Sequence, residues 1–380
     1  MTVLIAGIPS NNDTLFHAIR FSAGDPAALI DMDGTRLLII RDIEMDRARA
    51  HARVDQVSCP ADFTPNEGLS GDRETAVAQS VAEALRQHEI SKVRSDRTLA
   101  LSFIDALQKG GISIEYDHDL GVAQRRSKDA EELDALRAAQ AETQTAIAIA
   151  CETIANASAD AAGVLQLDGA TLTSDRVRAM IDTHLITRGY DNPTSIVAGG
   201  CEGADCHHHG ASELRTGEPV IIDVFPRSKS TRYNGDCTRT VVHGDIPPLV
   251  QSMYDAVSEA KLAAESATHA GVTGEAVHQA ATERIMAHGF HIGLPKDDAH
   301  PDRIAMVHGT GHGVGLAVHE PPLLDIGGPS LVAGDVITIE PGLYGPTVGG
   351  LRLEDMVVVT QNGQEDLGTG LHLGLDWATT

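Results

Sequence analysis

The chain has 380 residues, a hydrophobic content of 42% and a formal net charge of -25 at pH 7. A charge of this sign and size repels phosphate backbones and anionic lipid head groups, which argues against nucleic-acid or membrane-surface binding. The aromatic content of 3% also argues against a platform that stacks nucleic-acid bases. We therefore expect a small molecule or a peptide as partner, and neither nucleic acid nor a membrane.

The length predicts about two domains of ordinary size. The five cysteines form no C-x-x-C pair, and their odd number favours free thiols. No apolar run reaches the length of a membrane span, and the first residues, MTVLIAGIPSNND, contain no basic leader. We expect a soluble, cytoplasmic protein. Its acidic, lysine-poor composition is typical both of a salt-rich cytoplasm and of a GC-rich genome, and the sequence does not separate the two.

The first predicted elements form a small α/β unit. Residues 27–51 read as a strand hairpin turning at Asp33-Gly34 and followed by a helix. Helices are predicted near 74–88 and 97–109, and the stretch ISIEY at 112–116 is a predicted strand. The polar segment DHDLGVAQRRSKD, residues 117–129, is the predicted linker. We place the domain boundary within it, which gives domains 1–125 and 126–380.

After the linker, one order of elements occurs twice. Two helices, about 128–155 and from Thr173 as N-cap to Gly189, precede strand-like runs at 195–199, 219–225 and 237–243. Helices at 249–269 and 274–288 then precede strand-like runs near 304–308, 335–340 and 351–359. This order predicts an internal pseudo-duplication, with a site between the two halves.

Acidic residues stand at or inside four of these predicted strands: Asp223, Asp236, Glu340 and Glu354. Each alone is compatible with a solvated strand end. Together, two in each half and accompanied by His312, they predict a buried cluster that would take up protons unless cations neutralised it. Four carboxylates balance the charge of two divalent ions. Oxygen ligands with one imidazole suit manganese, cobalt, iron or zinc, with the hard manganese ion favoured.

The segment HGTGHGVGLAVHEPP, from His308 to Pro322, combines glycines with three histidines. Its glycines do not match the dinucleotide pattern G-x-G-x-x-G, because Val314 stands where a third glycine is needed. We interpret them as positions where the backbone passes close to a ligand. His312 is the metal candidate, flanked by His308 and His319.

These motifs, in this order, resemble the pita-bread metallopeptidases, a family that includes Xaa-Pro aminopeptidase, prolidase and methionine aminopeptidase. The resemblance covers roughly residues 127–360. It implies an α+β fold, with a small N-terminal creatinase-like α/β domain followed by a pseudo-symmetric pita-bread domain. The small first domain is similar to that of the proline-specific members.

The resemblance also implies a role for each site residue. Asp236 and Glu354 would bridge two metal ions, Asp223 would bind one ion, and His312 with Glu340 would bind the other. Glu340 would also be the general base for a metal-bridging hydroxide, which is the nucleophile. His308 and His319 would contact substrate or stabilise the tetrahedral intermediate.

Further substrate contacts are implied beside the metal ligands. In the segment CHHHGASELRTGEPVIID, His207 fits a substrate-binding position best and His208 second, and which of residues 207–209 faces the site stays open. Arg352, two residues before Glu354, would face the same side of a strand, with Tyr344 of the EPGLY motif nearby. Where the family usually has D-x-G, this chain has Asp223-Val224-Phe225, a departure that bears on specificity.

The leading hypothesis is a dinuclear Xaa-Pro aminopeptidase or dipeptidase that hydrolyses the bond preceding proline. One alternative is a non-peptidase, metal-dependent hydrolase or lyase of the same fold. A second is a non-catalytic binding module. The family further implies a homodimer.

Overall fold

The computed structural model describes residues 1–294, 300 and 302–378 of the chain. The chain divides into two compact units, Met1–Arg125 and Arg126–Thr380. Helices and strands both occur in each unit, in agreement with the predicted α+β class. Among the described residues, no helix combines the length and the apolar composition that crossing a bilayer would require.

The first unit is built on a six-stranded sheet with the order β4-β3-β2-β1-β5-β6. The predicted hairpin is present as the antiparallel pair β2 and β3. The sequence analysis assigned no strand to the first residues, yet β1 lies inside the sheet, because it pairs with β2 on one side and β5 on the other. The predicted linker contains a short helix, α5. In chain order the elements are β1 (Val3–Gly7), α1 (Asp13–Ile19), β2 (Ala27–Met32), β3 (Thr35–Ile39), α2 (Met45–His51), β4 (Gln56–Ser58), α3 (Arg73–Gln87), β5 (Lys92–Ser95), α4 (Leu101–Lys109), β6 (Ser113–Tyr116) and α5 (Ala123–Arg126).

The first half of the second unit begins with a long helix that Asp129 caps, reinforced by a reciprocal bond to Glu132. The next long helix begins after the predicted N-cap, Thr173. Strands β11, β12 and β14 form a three-stranded sheet in that order. The elements are α6 (Ala130–Ala155), β7 (Ser158–Ala159), β8 (Leu165–Leu167), β9 (Ala170–Thr171), α7 (Ser174–Thr187), β10 (Tyr190–Asp191), β11 (Ile196–Gly199), β12 (Pro219–Val224), β13 (Arg227–Ser228) and β14 (Cys237–Val242).

The second half again begins with two long helices, which pack against a five-stranded sheet, β18-β17-β19-β22-β23, and a four-stranded sheet, β15-β16-β20-β21. Each half has its own hydrophobic core, so the two predicted halves exist as separately packed layers. The elements are α8 (Pro248–Ala267), α9 (Gly274–Ala287), β15 (His291–Ile292), β16 (Ala305–Met306), β17 (Gly311–Gly313), β18 (Glu320–Leu324), β19 (Val336–Ile339), β20 (Gly342–Gly345), β21 (Gly349–Arg352), β22 (Asp355–Val359) and β23 (Gln364–Asp366).

One predicted strand, 351–359, is in fact two strands, and the prediction of a continuous strand was wrong. β21 pairs with β20 in one sheet, whereas β22 pairs with β19 in the other. The chain therefore changes sheets at Leu353 and Glu354. The Glu354 N–H donates to the Thr238 carbonyl at 3.1 Å, which ties this crossing point to the first half of the unit.

Close packing between α6 and the segment before β14 depends on a glycine. A Cβ atom at Gly235 would lie 2.2 Å from the Thr143 hydroxyl and 2.8 Å from the Ala139 carbonyl oxygen, both on α6. Atoms do not approach so closely, so any side chain at this position would push the helix away from the strand that follows.

We predict that Gly235→Ala lowers the free energy of unfolding by about 1–3 kcal/mol, the usual cost of overpacking. The melting temperature would fall by about 2–4 °C per kcal/mol for a unit of this size. Gly363→Ala is the matched control, because a Cβ there meets nothing within 4 Å. Equal melting temperatures for the two variants would contradict the packing argument.

Candidate metal centre

The second unit contains a cavity of about 580 Å³. Most of the site residues predicted from the sequence line it. Tyr344 and His208 are not among the described residues that form its lining. The predicted residues that do are His207, Asp223, Asp236, His308, His312, His319, Glu340, Arg352 and Glu354.

Two of the carboxylates come from the first half of the unit. Asp223 belongs to β12 and faces Thr238 across the antiparallel pair with β14. Asp236 immediately precedes β14, and its backbone is held by Gln140 of α6, whose side chain accepts from the Asp236 N–H and donates to the Asp236 carbonyl, both at 2.9 Å. The hairpin register therefore brings the two acids to one end of the sheet.

The second half contributes His312 and Glu340, and Thr338 joins them. The Thr338 hydroxyl accepts from the His312 N–H at 3.1 Å and donates to Glu340 Oε1 at 3.3 Å. Glu340 directly follows β19, and its own N–H donates to the Thr310 carbonyl at 2.8 Å. A side chain at Gly311 would meet the Thr338 carbonyl oxygen at 2.0 Å, so this part of the glycine-rich segment allows two strands to approach.

Glu354 lies where the chain changes sheets. The Thr238 hydroxyl donates to Glu354 Oε2 at 2.7 Å. The next residue, Asp355, is instead paired with two buried cations, Arg239 at 2.7 Å and Lys261 at 2.8 Å. Of two adjacent acids, only Glu354 therefore faces the cavity.

The side chains that surround the cavity form a set of donors suited to a divalent ion. One ligand atom each from Asp236, His312 and Glu354 lies within 4.8 Å of the other two. His312 Nε2 lies 3.3 Å from Glu340 Oε1 and 3.8 Å from Asp236 Oδ2.

The orientation of two of these side chains also fits a metal. His312 Nδ1 is 3.2 Å from the Gly313 carbonyl oxygen, to which it can donate, and this leaves the Nε2 lone pair towards the acids. Within the described residues, the buried Asp223 Oδ1 has no hydrogen-bond partner, so an acceptor atom is left for a cation. Carboxylates with one imidazole match manganese, cobalt, iron or zinc.

Burial and mutual repulsion raise the pKa values of two of the acids. Burial, with the neighbouring charges of Glu354, Asp223 and Glu340, raises the pKa of Asp236 well above its usual value. Burial, with Glu340 and Asp223, likewise raises the pKa of Glu354. Burial lowers the pKa of His312, which favours the neutral imidazole that a metal requires. The cluster is therefore unfavourable when it is fully ionised without cations.

Arg352 brings a guanidinium to the cavity lining, and each of its three side-chain nitrogens makes a hydrogen bond. Its guanidinium donates to Asp223 Oδ2 at 2.6 Å, the Tyr344 hydroxyl at 2.9 Å, the Cys206 carbonyl at 3.2 Å and the Thr238 hydroxyl at 3.2 Å. The predicted nearness of Arg352 and Tyr344 is thus observed, but as a direct hydrogen bond that keeps Tyr344 behind Arg352 and out of the lining.

The histidines differ in their surroundings. His308 Nε2 is 2.8 Å from the Tyr344 hydroxyl and Nδ1 is 2.7 Å from the Gly309 carbonyl oxygen, so both ring nitrogens are engaged. His319 is exposed, and its ring meets that of His312 edge to face at 4.3 Å. Burial lowers the pKa of His308 and of His319. Both rings are therefore biased towards the neutral form.

The loop with three adjacent histidines places two of them at the cavity. His207 and His209 line it, whereas His208 Nδ1 accepts from the Gly210 N–H at 3.0 Å. The apolar residues of the lining and one additional acid were not predicted from the sequence. Of the missed residues, only Phe225 could have been noticed in the sequence, because it stands where the family's D-x-G pattern has glycine. The lining residues that were missed are Ile196, Cys206, Phe225, Val318, Leu323 and Asp325.

We predict that the metal-free protein becomes less stable as pH rises above the ordinary carboxyl pKa values. A carboxyl whose folded pKa is raised contributes stability that is fully present below its unfolded pKa and is lost as pH rises through the folded pKa. Glu354→Gln keeps the shape of the side chain but carries no charge. After chelation, this variant should therefore melt at a higher temperature than the unsubstituted protein at pH 7.5, with the difference vanishing near pH 4.

Thermal unfolding of both metal-free proteins across this pH range checks the expectation. Subtracting one curve from the other removes the opposite effect of the histidines, which the two proteins share. A difference that does not change with pH would contradict the raised pKa of Glu354.

Comparison with known proteins gives consistent matches. Residues 134–361 match the family model described as metallopeptidase family M24. The chain is 35% identical over 194 residues to the probable dipeptidase PepE of Mycobacterium tuberculosis, which is 50% of this chain and 48% of that protein. It is 34% identical over 196 residues to the Xaa-Pro dipeptidase of Pyrococcus furiosus, 50% of this chain and 52% of the other. These alignments span about half the length of the curated relatives.

A solved structure extends the likeness to almost the whole chain. The X-Pro aminopeptidase from Thermotoga maritima superposes with a TM-score of 0.78 at 23% identity, covering 98% of this chain and 96% of the other. At this identity the likeness shows the fold, which is the predicted pita-bread fold after an N-terminal domain. Together with the match over more than half of its residues, this fold shows that the chain belongs to metallopeptidase family M24.

Proposed function

We propose that the protein is a metallopeptidase that uses two divalent ions to hydrolyse the peptide bond preceding proline. One observation carries the proposal: four carboxylates and a histidine from both halves of the second unit line the same cavity. The family of the chain and the names of its relatives, an Xaa-Pro dipeptidase and an X-Pro aminopeptidase among them, support the substrate class.

We assign the metal ligands as the sequence predicted them: Asp223, Asp236, His312, Glu340 and Glu354. Two bound ions would supply an activated water and polarise the substrate carbonyl, and manganese is favoured over cobalt, zinc or iron. The raised pKa values of Asp236 and Glu354 support this assignment, because divalent cations relieve the repulsion that causes part of the shifts.

The other side chains have distinct proposed roles. Glu340 takes the proton of the attacking water and passes it to the leaving amine, because its carboxylate is less buried than those of Asp236 and Glu354. His319 has an exposed ring beside His312 and stabilises the developing oxyanion. His308 is hydrogen-bonded to the Tyr344 hydroxyl, which also accepts from Arg352. These three side chains together orient the substrate.

Substrate binding also involves the histidines of the loop at 207–209 and the apolar residues that line the cavity. We propose that His207 contacts the peptide and that Ile196, Phe225 and Val318 hold the proline ring, because these residues line the cavity. His208, the second choice from the sequence, bonds within its own loop, and His209 takes its place at the cavity. We also propose a homodimer, which light scattering coupled to size-exclusion chromatography checks.

We predict that the protein loaded with manganese hydrolyses Xaa-Pro peptides and leaves the corresponding Xaa-Ala peptides almost uncleaved. Chromatographic detection of free proline from dipeptides, and of peptides that begin with proline from longer substrates, measures this and separates a dipeptidase from an aminopeptidase. Stoichiometric metal without proline release would favour the non-peptidase hydrolase or lyase. Failure to bind transition metal after reconstitution would favour the binding module.

We predict that Glu340→Gln lowers kcat by a factor of about 10²–10⁴, the usual contribution of a general base. Folding and much of the metal content should persist, because the four other ligands remain. Circular dichroism, metal analysis and kcat are to be measured on the same preparation. Glu365→Gln, on the exposed strand β23, is the matched control. Wild-type turnover in Glu340→Gln would refute the role of Glu340.

A further inference from the structure

The cavity contains an acid that the proposed metal site does not use. Asp325 follows β18 and lines the cavity together with Leu323 and Gly309. A Cβ atom at Gly309 would lie 3.1 Å from Asp325 Cβ and 3.2 Å from its Cγ, so the acid packs against the backbone between His308 and Thr310. The side chain is 47% exposed, which places its carboxylate at a part of the cavity that water reaches.

Among the described acids that line the cavity, Asp325 is the one whose charge is not committed elsewhere. Asp223, Asp236, Glu340 and Glu354 are the proposed metal ligands, and Arg352 is paired with Asp223 at 2.6 Å. Within the residues that the structure describes, no lysine or arginine is in ion-pair range of Asp325. Its neighbour there is His278, whose Nε2 lies 3.6 Å from Asp325 Oδ1.

His278 does not cancel the charge of Asp325. Burial lowers the pKa of this histidine, although the Asp325 and Glu275 charges oppose the shift. The imidazole is therefore mainly neutral at pH 7 and above. Its other nitrogen is 2.9 Å from the Thr310 hydroxyl, which fixes the ring behind Asp325.

An exposed aliphatic side chain lies two residues away. Leu323 is 56% exposed although it also lines the cavity, because alternate residues of β18 point outward. An apolar surface next to an uncompensated carboxylate matches the chemistry of lysine and arginine, which combine an aliphatic stem with a cationic head. A neutral side chain would leave the carboxylate without a cationic partner, and an acidic side chain would be repelled by it.

We propose that Asp325 and Leu323 form a subsite for a basic side chain of the peptide substrate, with the stem against Leu323 and the cationic head at Asp325. The inference rests on the proposed function and names a preferred class among its substrates. Nothing in it depends on which metal is bound.

Matched substrates test the subsite. Lysyl-proline and norleucyl-proline share the aliphatic stem but differ in the ammonium group, and Ala-Pro-Lys with Ala-Pro-norleucine tests the other side of the cleaved bond. We expect KM to be roughly fivefold lower for the lysyl member of one pair, as for a partly exposed ion pair. The kcat values should be similar, because binding that is equal in ground and transition states changes KM alone.

Substitutions at the acid should change this preference specifically. Asp325→Asn should make the KM values within each pair equal, and Asp325→Lys should reverse the preference in favour of a glutamyl substrate. Asp325 Oδ1 accepts from the Ile326 N–H at 2.7 Å. The control is Asp366→Asn, because Asp366 is exposed and likewise accepts a local backbone N–H, that of Gly368 at 2.7 Å. Raising the salt concentration to about 1 M should weaken the preference of the unsubstituted protein.

A binding measurement complements the kinetics. In the Glu340→Gln background, calorimetry should show tighter binding of the lysyl peptide than of its norleucyl partner, and Asp325→Asn should remove the difference. Cleavage of both members of each pair with equal KM and equal binding overturns the subsite and leaves the proposed function standing. Absence of any cleavage before proline overturns the proposed function and the subsite with it.

Discussion

The repulsion among buried carboxylates is the constraint on which the second unit depends. Asp223, Asp236 and Glu354 are each at most 8% exposed, and they converge on one cavity with Glu340. Charges so far from water and so near each other raise the free energy of the fold unless protons or cations compensate them. The raised pKa values of Asp236 and Glu354 express this cost. Two divalent ions would remove it, so in our proposal metal binding and stability are coupled.

The two halves of the unit are arranged so that neither could form the site alone. The hairpin of β12 and β14 carries two acids, and the other half contributes His312 from β17 and Glu340 from the position directly after β19. Glu354 lies where the chain crosses from one sheet to another, bonded through Thr238 to the first half. Because each half has its own core, the candidate ligands from the two halves are positioned by separately packed layers.

Some charged residues around the cavity are paired with one another, and others face the cavity itself. Arg239 and Lys261 neutralise Asp355 beneath the site, and Arg352 links Asp223 to Tyr344 and onward to His308. The same lining includes the apolar Val318 and Leu323 and the partly exposed Asp325. In our proposal two divalent ions would offset the carboxylates around the reacting carbonyl of a peptide, and Asp325 would remain as one acidic group near solvent. The proposed subsite would then discriminate between substrates by their charge as well as by the proline ring.

The sequence by itself determined which family the chain resembles and predicted the two halves and the candidate ligands, because each rests on local signals. Helix caps such as Thr173, glycines and acids in apolar runs are properties of a few adjacent residues. The pairing between distant segments could not be predicted from the sequence. The inclusion of β1 in the sheet and the break at Glu354 both follow from partners far along the chain. Only the tertiary structure decided that Arg239 and Lys261 neutralise Asp355 next to Glu354, that Tyr344 is bonded to Arg352 and stays out of the lining, and that Asp325 lines the cavity. Each of these depends on which buried cation or backbone group is nearest in space, and sequence spacing does not encode that distance.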